Sequence, residues 1–234
     1  MLFPYANFLV DFDRRHGALI HHNRPSNTRA AIVVETRPLY FLPAVIRNVM
    51  FFLGSEWNLH VVYGEHSERY LDDRMKDWDV NGIKLDGVTH LSRAQKSELL
   101  KSTQFWRAFP EEKLLVFDGN SIMCGPGIDA FLDYDFIGAP VGTGESFTLH
   151  GGFSLRSRRR TIECIIAGRD HGEPEDEFFS RMMRQTGAVT PDFASACRFA
   201  VASAYEGHPV GVPATDEGLH GPEVAQKIVD RIAY

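Results

Sequence analysis

Three short stretches combine chemically capable residues at close spacing. Asp118-Gly119-Asn120 places two oxygen-bearing side chains one residue apart, directly after the apolar run Lys113-Leu114-Leu115-Val116-Phe117. Oxygen donors so arranged at a strand end can hold a hard divalent cation, Mn or Mg. Such a cation can bridge a diphosphate and stabilise charge on a leaving group. The same residues also make a tight turn, since Asp-Gly and Asn-Ser are common turn formers. Pro174-Glu175-Asp176-Glu177-Phe178-Phe179 puts three carboxylates in what reads as a helical first turn. There they favour the helix dipole, or one of them serves as a general base that takes the proton of an attacking hydroxyl. His150-Gly151-Gly152-Phe153-Ser154-Leu155-Arg156-Ser157-Arg158 joins paired glycines, which let backbone approach a ligand, to arginines suited to phosphate. The other reading of that stretch is a glycine bend beside a solvated basic face.

Other chemistries lack their signatures. No Walker sequence, GxGxxG fingerprint, HExxH pair or GxSxG elbow occurs. The run Arg158-Arg159-Arg160 is basic, but the chain carries a formal net charge of −6, so nucleic acid is not an expected partner. Cys124, Cys164 and Cys197 stand far apart with no CxxC pair, which argues against a zinc site or a disulfide framework. Thiols in or near the core of a cytoplasmic protein are expected instead. No apolar run approaches the roughly 20 residues that span a bilayer, so no transmembrane segment is expected. Met1 to Val10 is apolar, but no basic segment precedes it and no small-residue cleavage site follows. It reads as a docked arm or frayed end rather than a signal peptide.

The elements that must position these residues follow from the pattern of apolar side chains. With 44% hydrophobic and 24% charged residues, the 234-residue chain can build a sizeable core. It reads as one domain over 1–234, with a core of about 30–212, an N-terminal arm over 1–29 and a C-terminal helix over about 221–232, where Pro222 sits near the start. Ala30 to Val34 is a short β-branched strand. Leu42, Val45, Ile46, Val49, Met50 and Leu53 recur at spacings of three and four, a helical stripe that ends at Gly54. Leu59 to Tyr63 is a second strand ending at Gly64, so strand, helix and strand make a parallel βαβ unit. Asp72 to Asp86 is polar and receives no element. Ser92 caps a helix through about Leu100, and Ser102 to Phe109 adds a helical turn or two.

Lys113 to Phe117 is the clearest core strand, and Tyr134 to Gly138 is another. Gly142 to His150 reads as a loop. Phe153 to Arg156 is a strand leading into a helix from about Ser157 to Ala167, and a further helix begins near Glu175. Phe193 to Ala202 is open between strand and helix. The expected fold is therefore a Rossmann-like three-layer α/β/α sandwich with a mostly parallel central sheet. Ligands of such sheets bind beyond the carboxyl ends of the strands. Glu35-Thr36-Arg37, Asp118-Gly119-Asn120 and His150-Gly151-Gly152 are expected to converge there.

The order of these stretches resembles a family of uncharacterised glycosyltransferase-like proteins of microbes, fungi and viruses, usually described as a domain of unknown function. The resemblance runs from about Ala31 to Gly211. It rests on Val33-Val34-Glu35-Thr36-Arg37-Pro38, Val45-Ile46-Arg47-Asn48, Phe105-Trp106, Tyr134-Asp135-Phe136-Ile137-Gly138-Ala139-Pro140, Gly151-Gly152-Phe153-Ser154-Leu155-Arg156-Ser157 and Glu175-Asp176-Glu177-Phe178-Phe179. It implies a GT-A fold, a nucleotide-sugar donor, a carbohydrate or other hydroxyl acceptor, and usually a divalent cation. By this likeness Glu35, Thr36 and Arg37 face the nucleotide, and the strand-end acidic motif falls on Asp118 to Ser121. Gly151 and Gly152 face the donor sugar or acceptor. Asp176, with Glu175 next, supplies the base of an inverting transfer.

Two departures bear on the metal. Asn120 stands where the family usually has Asp, and Pro209-Val210-Gly211-Val212 leads to Pro213 where the family tends to have a histidine. Asp118 with Asn120 then form the cation site, helped by His208 or Asp216. Alternatively, Arg156 and helix N-termini hold the diphosphate. A catalytically weak nucleotide-sugar binding module is the other reading of the altered metal motif. A nucleotidyltransferase is a third reading, disfavoured by the lack of a glycine- and lysine-rich phosphate loop.

Overall fold

The computed structural model describes residues 5–142, 147–202, 207–213 and 222–232. In chain order these form α1 (Ala6–His16), β1 (Arg29–Val34), α2 (Leu42–Leu53), β2 (Trp57–Tyr63), α3 (Glu68–Met75), β3 (Asn81–Lys84), α4 (Arg93–Leu100) and α5 (Thr103–Arg107). They continue with β4 (Lys113–Phe117), β5 (Ile122–Met123), β6 (Phe136–Val141), β7 (Thr148–Ser157), α6 (Arg158–Ala167), α7 (Glu175–Gln185), α8 (Phe193–Phe199), β8 (Gly211–Val212) and α9 (Pro222–Val229).

Six strands make the central sheet in the order β3-β2-β1-β4-β7-β6. β1 pairs in parallel with β2 and β4, and β2 in parallel with β3. β7 runs antiparallel to both β4 and β6, so every strand but β7 points the same way. β5 and β8 form a separate antiparallel pair.

Alternation along β1 shows why the sheet needs a layer on each side. Ala31 and Val33 point into a core built with α1, α2 and α9, while Ala30, Ile32 and Val34 point into one built with α4 and α5. Phe136 and Leu149 join a third cluster with Phe178, Phe179 and Met182 of α7. The expected three-layer sandwich with a mostly parallel sheet is thus the architecture found. The stripe on α2 is buried as its spacing requires, from Leu42 through Val45, Ile46, Val49 and Met50 to Leu53. Ser92 caps α4 in a reciprocal box with Gln95.

Two local expectations are corrected, and two alternatives left open by the sequence are decided. The N-terminal arm is not frayed over its described part: α1 buries Phe8, Leu9 and Phe12. Phe12 meets Phe51 edge-on at 5.4 Å, and Arg47 closes on Asp13 at 2.6 Å. The polar stretch left without an element contains the second half of α3 and the edge strand β3. α3 shows little apolar pattern because, among its described side chains, this edge helix buries only Leu71 and Met75. The loop expected up to His150 is shorter, since β7 already begins at Thr148 and runs ten residues. The ambiguous stretch from Phe193 is the helix α8, capped by Asp192, followed by an isolated bridge at Ala200.

A buried polar cluster lies toward the start of the parallel strands. Glu111 accepts hydrogen bonds from Asn58 Nδ2 (2.7 Å) and His60 Nε2 (3.0 Å), and the His60 ring stands edge-on to Phe109. Burial pushes the Glu111 carboxyl up, but these two hydrogen bonds outweigh it and hold the group below the usual carboxylate range.

Candidate functional site

β1 connects towards one edge of the sheet through α2 and β2, whereas the chain after β4 builds the other edge, β6 and β7. The crevice beyond the carboxyl ends of β1 and β4 is therefore a topological switch point, the usual ligand position in an open α/β sheet. Two adjoining cavities open there, of about 370 and 80 Å³. The first is lined by Glu35, Thr36, Arg37, His90, Asp118 and Asn120 among others, the second by Asp118, Gly151, Gly152, Glu175 and Asp176 among others. Arg93, Lys96, Asp118 and His150 belong to both, so the two form one cleft. The three stretches expected to converge do so. Two of them leave strand ends, and the third, His150 to Gly152, lies within β7. Because β7 runs antiparallel with Phe153 opposite Phe117, these residues continue past the end of β4. The peptide N–H of Asp118 donates to the carbonyl of Gly152 at 2.8 Å, which fastens the two segments together.

Within this cleft most carboxylates hold a cation of the protein. Glu35, 5% exposed, accepts Arg37 Nε at 2.9 Å and Nη2 at 2.8 Å in a fork, and Arg37's own N–H at 2.8 Å. Asp118 forms a short ion pair with Lys96 Nζ of α4. Glu175 grips Arg156 through both guanidinium nitrogens, at 3.0 and 3.2 Å. Arg156 is wholly buried. Its Nε donates to Ser154 Oγ at 2.9 Å, and the guanidinium sits 4.8, 5.1 and 5.4 Å from the rings of Phe136, Phe179 and Trp106. It is thus walled off from the cleft, and Glu175 is its counter-ion. Thr36 is also committed, its Oγ1 accepting the N–H of Leu91 at 2.9 Å and its carbonyl accepting Ser67 Oγ. Asp176 differs: it lines the second cavity, its Oδ1 accepts only the N–H of Glu177 at 3.0 Å, and among the described residues it forms no ion pair.

The paired glycines line the second cavity and also make room for protein. A Cβ on Gly151 would lie 1.8 Å from Glu175 Oε1, and one on Gly152 would lie 2.3 Å from Asp118 Oδ2. The N–H of Gly152 donates to His150 Nδ1 at 3.0 Å. That bond leaves the ring proton on Nε2, so His150 presents a donor to the junction of the two cavities. Lys101 ties the end of α4 to the segment before α7, through Asp170 (2.7 Å) and the Glu173 carbonyl (3.1 Å). Burial pushes the Lys101 ammonium down, but hydrogen bonds to Asp170 and Glu98 outweigh it and hold its pKa above the usual lysine range.

Sequence reasoning placed the helix α4 behind its Ser92 cap but missed that its residues line the site. Arg93 and Lys96 stand at i, i+3 and so share one helix face, and Ser97 and Leu100 extend that face into the second cavity. The spacing was visible behind Ser92, but nothing local showed that this face meets Asp118. The proposed cation ligands meet the structure unevenly. Asp118 is held by Lys96, Asn120 is buried beside it, and the exposed His208 lines a different hollow with Cys124 and Ile228. Asp216 lies outside the described residues. Among the described residues no cluster of three His, Cys, Asp or Glu side chains converges. Both strand-end carboxylates of this cavity are committed to protein cations, Asp118 to Lys96 and Glu35 to Arg37, so a divalent cation demanding several oxygen ligands does not fit the site.

The sequence pattern of a family described as protein of unknown function, DUF5672, matches residues 82–212. No curated protein sequence matches the chain. Solved structures share its fold at low identity. The apo form of the glycosyltransferase GlyE of Streptococcus pneumoniae is 12% identical with a TM-score of 0.55, over 87% of this chain but only 60% of that one. Mouse xyloside xylosyltransferase 1 is 11% identical with a TM-score of 0.53, over 83% of this chain and 97% of that one. The inositol-1-phosphate CTP transferase of T. maritima is also 11% identical, with a TM-score of 0.52 over 88% and 97%. The fold is thus shared with glycosyltransferases and with a nucleotidyltransferase. Among the described residues no helix is long and apolar enough to cross a membrane.

Proposed function

The chain belongs to the DUF5672 family, and we propose that it transfers a sugar from a nucleotide-sugar donor to an acceptor hydroxyl. The observation that carries this reading is the division of labour along the cleft. The first cavity presents Arg37, Arg93, Lys96 and the Nε2 donor of His150, groups suited to a diphosphate. The adjoining cavity presents Asp176, a carboxylate without a counter-ion. A hydroxyl nucleophile needs a base at its oxygen, and a base needs an uncommitted lone pair. In the proposed reaction the acceptor oxygen attacks the anomeric carbon and its proton passes to Asp176. The bond from that carbon to the β-phosphate oxygen breaks, and the nucleoside diphosphate leaves. One base and one displacement invert the anomeric centre. Glu175 positions the start of α7 through Arg156, and Asp176 takes the proton.

The shared fold leaves nucleotidyl transfer as the competing chemistry, and Asp176 weighs against it where the acceptor is a phosphate. A phosphate oxyanion is already a nucleophile and requires no proton abstraction. Incubation with a panel of nucleotide-sugars and glycoside acceptors distinguishes the readings by product. Release of nucleoside diphosphate with a glycosylated acceptor supports sugar transfer, and release of pyrophosphate from a nucleoside triphosphate overturns it. Asp176→Asn is expected to lower the transfer rate about 10²- to 10⁴-fold while thermal stability holds. Full transfer by that variant refutes the base assignment. Donor binding with no turnover on any acceptor marks a binding module instead.

A further inference from the structure

We propose that Lys96 takes the place of a divalent cation, so that this chain holds its donor's diphosphate with protein cations and works without metal. The proposal rests on the nucleotide-sugar reading above and adds what neutralises the leaving group. Its basis is the setting of Asp118. The strand-end carboxylate that would anchor a metal instead anchors the Lys96 ammonium, and both side chains are about three-quarters buried, at 25% and 23% exposure. An ammonium has three N–H donors, and Asp118 accounts for one, leaving two for phosphate oxygens on the open side of the cavity. Arg93, one helical turn away on the same face of α4, lines both cavities and forms no ion pair among the described residues. The neighbouring position carries the neutral amide of Asn120 rather than a second carboxylate. Two carboxylates would overcompensate one lysine, whereas one carboxylate and one lysine balance. A divalent cation at Asp118 would have to displace Lys96, and the nearby Glu35 carboxylate is already held in a fork by Arg37.

When the anomeric bond breaks, negative charge develops on the departing β-phosphate. Lys96 is held in place before that moment by Asp118, and His150 is held by the Gly152 N–H. Preorganised donors of this kind stabilise developing charge without reorganisation during the reaction.

The test is isothermal titration calorimetry of the purified chain with UDP, GDP, CDP and ADP, first in EDTA and then in millimolar Mn²⁺. The expected result is that one nucleotide binds in EDTA with nearly the affinity it shows in Mn²⁺. Lys96→Met is expected to weaken that EDTA affinity about tenfold to a hundredfold, the loss of one charge-assisted contact to phosphate. Lys96→Arg is expected to retain metal-free binding, and it keeps the test decisive if the Met variant does not fold. Binding that appears only with Mn²⁺, or an unchanged EDTA affinity in Lys96→Met, overturns the metal-free proposal and leaves the nucleotide-sugar reading standing. If none of the four nucleotides binds in either condition, both fall together.

Discussion

The Arg156–Glu175 pair offers a sharp test of which acidic residue of α7 is structural. Arg156 has no solvent exposure, and the Glu175 side chain keeps only 11%. Two charge-assisted hydrogen bonds join them, one more ties Arg156 to Ser154, and three aromatic rings surround the guanidinium. Glu175→Gln would leave a buried cation without its counter-charge. Removing one partner of a buried pair costs about 3–5 kcal/mol. For a chain of this size each kcal/mol shifts the melting temperature by about 2–4 °C, so the expected fall is about 6–20 °C. Arg156→Met removes the cation and leaves a carboxylate facing aromatic rings, with a cost of about the same size. The double variant Arg156→Met/Glu175→Gln leaves no unpaired charge. It should therefore be more stable than the sum of the singles predicts, by about 1–3 kcal/mol. Differential scanning fluorimetry and urea titration of the four proteins complete the cycle. A Glu175→Gln protein that melts with the wild type, or strictly additive losses, refutes the argument that Glu175 serves as a counter-ion.

Three further outcomes follow from the site and from the cluster beneath it. Gly151→Ala should lower stability by about 1–3 kcal/mol, because its Cβ would overlap Glu175 Oε1. Gly152→Ala should chiefly weaken nucleotide binding, because its Cβ would displace the Asp118 carboxylate from Lys96; melting and calorimetry on both variants separate the two effects. Glu111 has a folded pKa held below its unfolded value, so its contribution is fully present above the ordinary carboxylate range and is lost as the pH falls through the folded pKa. Glu111→Gln should then be less stable at neutral pH but show a shallower loss on acidification below about pH 4.5, measured by urea unfolding across pH.

The parts of the fold that repeat a period were legible in the chain. The α2 stripe, the β-branched run of β1 and the cap at Ser92 each carry their own signal within a few residues. α1 and β3 were not, because their places depend on partners distant in sequence: Phe12 is buried by Phe51, and β3 is held as an edge by β2. In the site, residue types pointed to the right segments but not to their commitments. Arg156 reads as a phosphate ligand until Phe136, Phe179 and Trp106 are seen to enclose it. Gly151 and Gly152 line the second cavity, but the need for glycine there also comes from the Glu175 and Asp118 carboxylates packed against them. Lys96 was invisible as a site residue because its meaning comes from Asp118, 22 positions away across the sheet.

The pairing of carboxylates with cations in the cleft also bears on how a donor arrives. Glu35 with Arg37, Asp118 with Lys96 and Glu175 with Arg156 each cancel, and the remaining Asp176 is matched by Arg93. The cleft is close to electroneutral within a chain of formal charge −6. A doubly anionic diphosphate therefore meets little long-range pull, and its capture depends on donors that stay anchored to carboxylates, as Lys96 is on Asp118, while their remaining N–H groups take phosphate oxygens. Selectivity in such a site lies in contact geometry rather than in attraction at a distance. Association should consequently respond weakly to added salt, unlike a site that draws its ligand in with an excess of positive charge.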